Sequence, residues 1–351
     1  MPLRVVVAPD GFGATLTAAQ AAAAIARGWT SARPRDEVLV VPQSDGGPGF
    51  LDCLADGGDM RTTTVHSPLG AEVAARWLVA GPVAYLECAQ ACGLHLVPEP
   101  TPETALAADS RGLGELMAAA LREPGVERIV IGLGGSVTTD GGRGLLDALG
   151  GPAAAAEAVR DVALVAATDV DNPLLGPRGA AAVFAPQKGA DAAAVALLEA
   201  RLAEYGELLD GLAGRVVVDD PGAGAAGGIG AALLALGAGR ASGADLVAGA
   251  TGLPAALTGA DVVITGEGRL DGQTARGKVV ARVADAARRA GSGSVIAIVG
   301  ECALDDPAVL GLDAVSSLVS RAGRTRALTE AGDVVAEVAA EVAARWRAPR
   351  E

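Results

Sequence analysis

Four times in this chain a short apolar run stops at an acid set among glycines, and alanine-rich stretches long enough to be helices lie between such runs. Strand, helix, strand in succession is the pattern of a parallel sheet covered by helices, and this alternation limits the fold more than any other feature. Arg4 to Ala8, Glu37 to Pro42, Asp261 to Thr265, Ser294 to Val299 and Ala314 to Val319 read as strands. Ala18 to Ser31, Lys278 to Ala290 and Leu328 to Trp346 read as helices. The middle of the chain is less regular. It carries a hairpin at Glu72 to Leu86, a helix at Leu113 to Arg122, a strand at Arg128 to Leu133 and a long helix after Ala190. The expected architecture is therefore α/β and two-domain: an open flavodoxin- or Rossmann-like parallel sheet from residues 1–62 and 255–351, interrupted by a second α/β (α+β) domain at 63–254.

Composition removes several functional classes. With 351 residues, half of them hydrophobic, the chain can bury a large core, and its 49 glycines cluster in turns without a three-residue period. Aromatic residues are only 2%, and the net charge is −14, so neither base stacking nor an anionic polymer or membrane surface fits. The apolar run Val5 to Pro9 is too short for a signal peptide, and no stretch reaches the length of a membrane span. A cytoplasmic protein acting on a small molecule is expected, and a homodimer is compatible with such a chain. Cys53, Cys88, Cys92 and Cys302 form no Cys-x-x-Cys pair and read as free thiols, with Cys88 and Cys92 one helical turn apart. His66 and His95 have no ligand-like spacing, which leaves a zinc site or a serine-histidine triad without material.

The chemistry belongs at the strand ends, because ligands of open α/β sheets bind outside the carboxyl ends of the strands. Those ends read Pro9-Asp10-Gly11, Ser44-Asp45-Gly46-Gly47, Gly134-Gly135-Ser136-Val137-Thr138-Thr139-Asp140-Gly141-Gly142 and Thr265-Gly266-Glu267-Gly268-Arg269-Leu270-Asp271. Glycine admits backbone amides to a phosphate, hydroxyls add neutral donors, and carboxylates hold Mg²⁺ or accept a hydroxyl proton. Each Asp-Gly pair taken alone is also an ordinary turn. Only Lys188 and Lys278 stand against 26 arginines (28 basic residues minus 2), which marks them for a task a planar guanidinium fork cannot do, such as bonding one phosphate oxygen in a crowded site. Two formal motifs fall short. Gly272 to Lys278 has P-loop spacing but continues into Val279, so the magnesium-binding hydroxyl is missing. Gly222 to Gly227 matches a dinucleotide fingerprint after the apolar run Val216 to Val218, yet Asp219, Asp220 and Pro221 intervene and no second strand follows, so an oxidoreductase is a remote alternative.

Seven segments in order, Val7-Ala8-Pro9-Asp10, Ser44-Asp45-Gly46-Gly47, Gly132 to Gly142, Asp169-Val170-Asp171-Asn172-Pro173-Leu174, Pro186-Gln187-Lys188-Gly189-Ala190, Gly224 to Gly230 and Thr265 to Lys278, resemble the class I glycerate kinases over nearly the whole chain. The resemblance implies ATP-dependent phosphorylation of D-glycerate to 2-phosphoglycerate with Mg²⁺, in a cleft between two α/β domains. On that resemblance, Asp10 and Asp45 orient the glycerate hydroxyl or accept its proton, and Lys188 and Lys278 join them in catalysis. Gly134, Gly135, Ser136, Thr138 and Arg269 face the nucleotide; Asp169, Asp171, Glu267 and Asp271 are the metal candidates. Asp171-Asn172-Pro173 is equally readable as a turn, and Arg269 with Asp271 as a surface pair.

The departures from the family pattern sit at the same strand ends. Gly11 and Gly13 stand where the family carries a serine and a lysine, Pro48 replaces its glutamate, Phe50 stands near a usual threonine, and Thr139 replaces an asparagine. The stretch between Leu149 and Asp169 is shorter than usual. Three readings follow: a glycerate kinase with a rearranged pocket, a kinase for a related hydroxy acid, or a catalytically weak paralogue that serves as a binding protein.

Overall fold

The computed structural model describes residues 2–13, 15–272 and 279–346. The chain divides into two compact units, one from Met1–Asp45, Asp52–Leu54 and Ala244–Glu351, the other from Gly46–Leu51 and Ala55–Gly243.

In the first unit five strands are all parallel, ordered Ala314–Ser317, Ser294–Val299, Val262–Thr265, Arg4–Val7, Glu37–Val40. Numbered along this unit, that order is 5-4-3-1-2, the flavodoxin-like arrangement, whose direction of winding reverses between the first and third strands. Side chains alternate across the pleat: Val5, Val7, Ile264, Ile296 and Ile298 enter one core, while Val6, Val263, Val295, Ala297 and Val299 enter the other. Both faces are covered, which is why these strands read as continuous apolar runs. On the first face lies the helix Ala18–Ala32, started by a capping box in which Thr17 and Gln20 exchange hydrogen bonds, burying Ile25 and Trp29. The C-terminal helix Ala331–Arg345 adds Val334 and Val338. On the second face Val279–Arg289 buries Val280, Val283 and Ala287. Truncating Ile25 or Ile264 to alanine should cost about 2 to 5 kcal/mol, since each is fully buried.

The second unit holds a six-stranded mixed sheet: Asp59–His66, Glu72–Ala80, Val83–Glu87, Arg128–Gly132, Ala163–Ala167, Gly239–Ala241. The first two pairings are antiparallel and the last three parallel, so four parallel strands bring their carboxyl ends to one edge beside Ser242. Its core gathers Trp77, Leu86, Leu113, Leu116, Met117, Ile129 and Ile131. The helix Ala192–Ala213 begins where Asp191 accepts the Ala194 N–H at 2.8 Å and ends at left-handed Gly214.

Three strands of this sheet go unread in the sequence. Ala163–Ala167 is alanine-rich, Gly239–Ala241 has three residues, and Asp59–His66 is threonine-rich with a largely exposed face. Asp59–His66 also carries the second unit back to before residue 63. Conversely, Val216 to Val218 is not a strand: the Asp210 carboxylate accepts the N–H groups of Val217 and Val218, which turns the chain. The strand expected to reach Val319 stops at Ser317, whose hydroxyl accepts the Ser320 N–H and starts the helix Leu318–Ala322. All four cysteines are free thiols. No helix among the described residues is long and apolar enough to cross a membrane.

Candidate active site

The first unit concentrates its acids at the switch point. Hydrogen bonding runs past the strands, with Ala8 N–H donating to Ile264 O at 2.7 Å and Asp10 N–H to Gly266 O at 2.8 Å. This sets Asp10 beside the Gly266-Glu267-Gly268 turn. On its other side Gln43 N–H donates to Pro9 O at 2.9 Å, which brings the second strand's continuation, Ser44 and Asp45, level with Asp10. Asp10 and Asp45 remain partly exposed, whereas Glu267 is buried. Glu267 is held from its backbone, whose carbonyl accepts the Gly300 N–H at 3.0 Å. Arg269 and Asp271 follow, 3.7 Å apart, with the Arg269 side chain mostly exposed. Asp10, Asp45, Glu267, Arg269 and Asp271 thus share one unit and one sheet edge. Lys278 lies outside the described residues, as does most of the P-loop-like stretch.

In the second unit the chemistry lies at the end of Arg128–Gly132. Gly134 N–H donates to Gly46 O at 3.0 Å, and a Cβ on Gly134 would stand 2.2 Å from Gly47 Cα, so only glycine lets these segments cross. Beyond that crossing the loop is pinned from one side by Leu94 N–H to Gly135 O and Val137 N–H to Cys92 O, at 3.0 and 2.8 Å. From the other side comes Lys188, 3% exposed, whose Nζ donates to Thr138 O at 2.6 Å and reaches Ser136 Oγ at 3.4 Å. Burial pulls the Lys188 pKa down to about 8, opposed by the fields of Cys88, Asp140 and Cys92. The hydrogen bond with the adjacent Cys88 thiol, and then the same burial, hold Cys92 well above the usual thiol range, so it stays protonated.

The loop therefore presents backbone rather than side chains. Gly135 is exposed and Gly134 partly so, while Ser136, Thr138 and Thr139 are buried. Asp140, which carries no role in the sequence reading, closes the loop: its carboxylate accepts Ser110 N–H and Oγ–H, Gly142 N–H and Gly144 N–H at 2.7 to 3.1 Å. The available signal was an acid followed by two glycines immediately before a helix, Arg143–Ala148. The Gly222 to Gly230 stretch finds its purpose here too. Ala226, Gly227 and Gly228 are successive left-handed residues, and a Cβ on Gly227 would fall 1.8 Å from Thr138 O. These glycines pack against the Thr138 turn, and their fingerprint spacing follows no strand.

Asp169 and Asp171 follow Ala163–Ala167. Asp169 is partly exposed; Asp171 projects into solvent and pairs with Arg240 at 2.5 Å. Asn172 Nδ2 donates to Arg178 O at 2.6 Å and the Asn172 carbonyl accepts the Gly224 N–H, so this segment is a built turn. No cluster of three or more His, Cys, Asp or Glu among the described residues is arranged to hold a metal. Mg²⁺ does not require one, since it commonly takes one or two protein carboxylates and completes its shell with water and phosphate.

A family model described as the glycerate kinase family matches residues 5–158 and 152–347. An uncharacterised protein of Mycobacterium tuberculosis (strain CDC 1551 / Oshkosh) is 52% identical over 98% of this chain and 91% of its own length. A glycerate 2-kinase of Escherichia coli (strain K12) is 38% identical, covering 92% of each chain. A solved chain from Salmonella typhimurium LT2, described as a glycerate kinase 2, superposes with a TM-score of 0.77 at 37% identity over 98% of both. A parallel sheet and a mixed one whose parallel strands lead into carboxylates and a glycine loop, together with these relatives, define an α/β kinase. The chain belongs to the glycerate kinase family.

Proposed function

We propose that this kinase transfers the γ-phosphoryl group of Mg-ATP to the 2-hydroxyl of D-glycerate in the cytoplasm, giving 2-phosphoglycerate. The observation that carries the reading is the meeting of Asp10, Asp45 and the Gly266-Glu267-Gly268 turn at the switch point, fixed by the 2.8 and 2.9 Å backbone bonds. Phosphoryl transfer needs little covalent help from a protein; it needs the hydroxyl held in line and the phosphate charge answered. Asp10 or Asp45 accepts the hydroxyl proton, and the other fixes the acid's orientation. Glu267, with Asp271 beside it, offers hard oxygen donors for Mg²⁺, which supplies charge neutralisation when bound. Arg269 and Lys278 answer phosphate or carboxylate charge. In the second unit the backbone of Gly135 is the part of the loop open to a phosphate, since the Gly134 N–H is spent on Gly46 O, and Asp169 is the better placed of its two acids for a metal. Lys188 supports this loop from within as a positioning residue, because its Nζ is spent on Thr138 O and Ser136 Oγ.

A second reading, a kinase for a related hydroxy acid, is favoured by Pro48. Its ring lies where a Cβ on Gly135 would stand, 2.5 Å from Pro48 Cγ, so an apolar ring closes on the loop where the family has a carboxylate. One assay separates the readings: ATP consumption with Mg²⁺ across a panel of small hydroxy acids. Glycerate should be turned over fastest. Faster turnover of another acid selects the second reading, and no turnover combined with no nucleotide heat in calorimetry ends both.

A further inference from the structure

A helix that shows one side to water normally gathers its polar residues on that side. The helix Ala192–Ala213 does not. It buries Ala194, Leu198, Leu202 and Leu209 on its inner side, yet Leu197 and Leu208 on the outer side remain 44% and 43% exposed. Four of the eight large apolar side chains exposed among the described residues, Val183, Leu197, Leu208 and Val216, fall on this helix or on the segments flanking it. Single exposed leucines need no explanation, but a concentration of them marks an interaction surface.

Helix geometry shows how that surface is ordered. Leu208 comes eleven residues after Leu197, three turns plus about 20°, so the two leucines stand on one line along the helix, about 16 Å apart. Between them, within about 40° of the line, lie the exposed side chains of Arg201 and Glu204. Neither has an ion-pair partner among the described residues. Arg201 donates one N–H to Leu106 O at 3.0 Å, which holds the guanidinium in place and leaves its other donors unspent. Exposed Ala193, Ala200 and Gly211 border the line and keep it low enough for another helix to approach to the usual spacing of about 8 to 10 Å.

This order is self-complementary. Laid antiparallel on a copy of itself, with a two-fold axis level with the point midway between Leu202 and Ala203, the helix sets Leu197 opposite Leu208 of the partner subunit. The same register sets Arg201 opposite Glu204 of the partner subunit, because both pairs are centred on that point. Two-fold symmetry makes each contact occur twice. We propose that this face is the interface of a homodimer, formed by antiparallel packing of the Ala192–Ala213 helices of two copies. A face about 33 Å long and one helix wide is smaller than the roughly 800 Å² per partner of a tight complex, so the dimer dissociates in the micromolar range.

The test is sedimentation velocity of the full chain over on the order of 1 to 200 µM, with melting curves to show that each variant folds. A concentration-dependent passage from monomer to dimer is expected. Arg201→Glu and Glu204→Arg each set like charges across the axis twice, and each should weaken the dimer about ten-fold or more. The double variant Arg201→Glu/Glu204→Arg restores opposite charges in the same register and should recover dimerisation. Leu197→Lys should weaken it as much as either charge variant, and added salt should shrink the charge effects while leaving the leucine effect in place. A chain that stays monomeric throughout, a dimer indifferent to Leu197→Lys and Arg201→Glu, or a double variant no better than the single ones would overturn the proposal. Turnover is not part of the readout, so the outcome does not depend on the kinase reading.

Discussion

At the switch point of the first unit, Asp10, Asp45 and Asp271 keep part of their surface in water; at the loop of the second, Ser136, Thr138, Thr139 and Lys188 have almost none. Both regions carry family motifs, yet they use polarity in opposite ways. Exposed carboxylates can exchange partners, which suits proton and metal chemistry. Buried hydroxyls and a buried ammonium cannot, and their bonds set the shape of a backbone loop. A motif residue is therefore a candidate for chemistry only after its burial is known, and Lys188 is the instructive case.

The sharpest break between the two regions should come from the acids. Asp10→Asn and Asp45→Asn should each lower kcat by about 10²- to 10⁴-fold, the range for lost general-base and positioning groups, with little change in melting temperature. Loss of stability without loss of turnover would move both acids to the structural side of the comparison.

Lys188 should behave in the reverse sense. Lys188→Arg forces a larger, always charged fork into a buried site and should cost about 1 to 3 kcal/mol of stability. The depressed pKa gives a second signature. Below pH 8 the lysine is charged in both states and its burial penalty is fully present. Between pH 8 and the ordinary lysine range the unfolded chain holds a proton the folded chain releases, so stability rises with pH, by on the order of 3 kcal/mol at most. Subtracting the pH dependence of Lys188→Met should isolate that rise. A flat difference would mean the ammonium is not buried as described.

Restoring the family residues at the switch point and at Pro48 is a gentler probe. A Cβ on Gly11 meets only Leu16 O, at 3.4 Å, and one on Gly13 meets nothing within 4 Å, but Gly13 has φ +58. Gly13→Lys should thus cost about 1 kcal/mol in backbone strain while adding a cation. With Gly11→Ser and Pro48→Glu, kcat/KM for glycerate should rise by about 1 to 2 kcal/mol per charged contact. An equal or lower value, in a triple variant that folds, would favour the related-acid kinase. The smallest effect is expected at Asp171, exposed and paired with Arg240: Asp171→Asn should change stability by less than about 0.5 kcal/mol and leave Mg²⁺ dependence unaltered, whereas Glu267→Gln should raise the Mg²⁺ requirement.

The sequence made the first unit legible because its buried strands are valine and isoleucine runs, and because acids after strands mark the edge where ligands bind. The second unit was harder to read for physical reasons. Ala163–Ala167 is built from a helix-favouring residue and becomes a strand only through pairing with Arg128–Gly132. Lys188 read as a phosphate-bonding catalytic lysine because nothing local reports that a single-turn helix, Pro186–Lys188, tucks it under the Thr138 turn. Asp140 was seen only as one letter of a glycine motif; its four donors come from two separate segments, residues 110 and 142–144.

The sheet of the first unit is assembled from the two ends of the chain, and the Arg4 N–H donates to the Asp261 carboxylate 257 positions later. A ribosome therefore releases Arg4–Val7 and Glu37–Val40 long before their central neighbour exists, roughly 15 to 50 s at ordinary elongation speeds. During that interval Val5, Val6 and Val7 have no sheet to enter, while the inserted unit can complete its own. The inserted unit is thus free to fold first, and Asp10 and Asp45 meet the Glu267 turn only after Val262–Thr265 has been made.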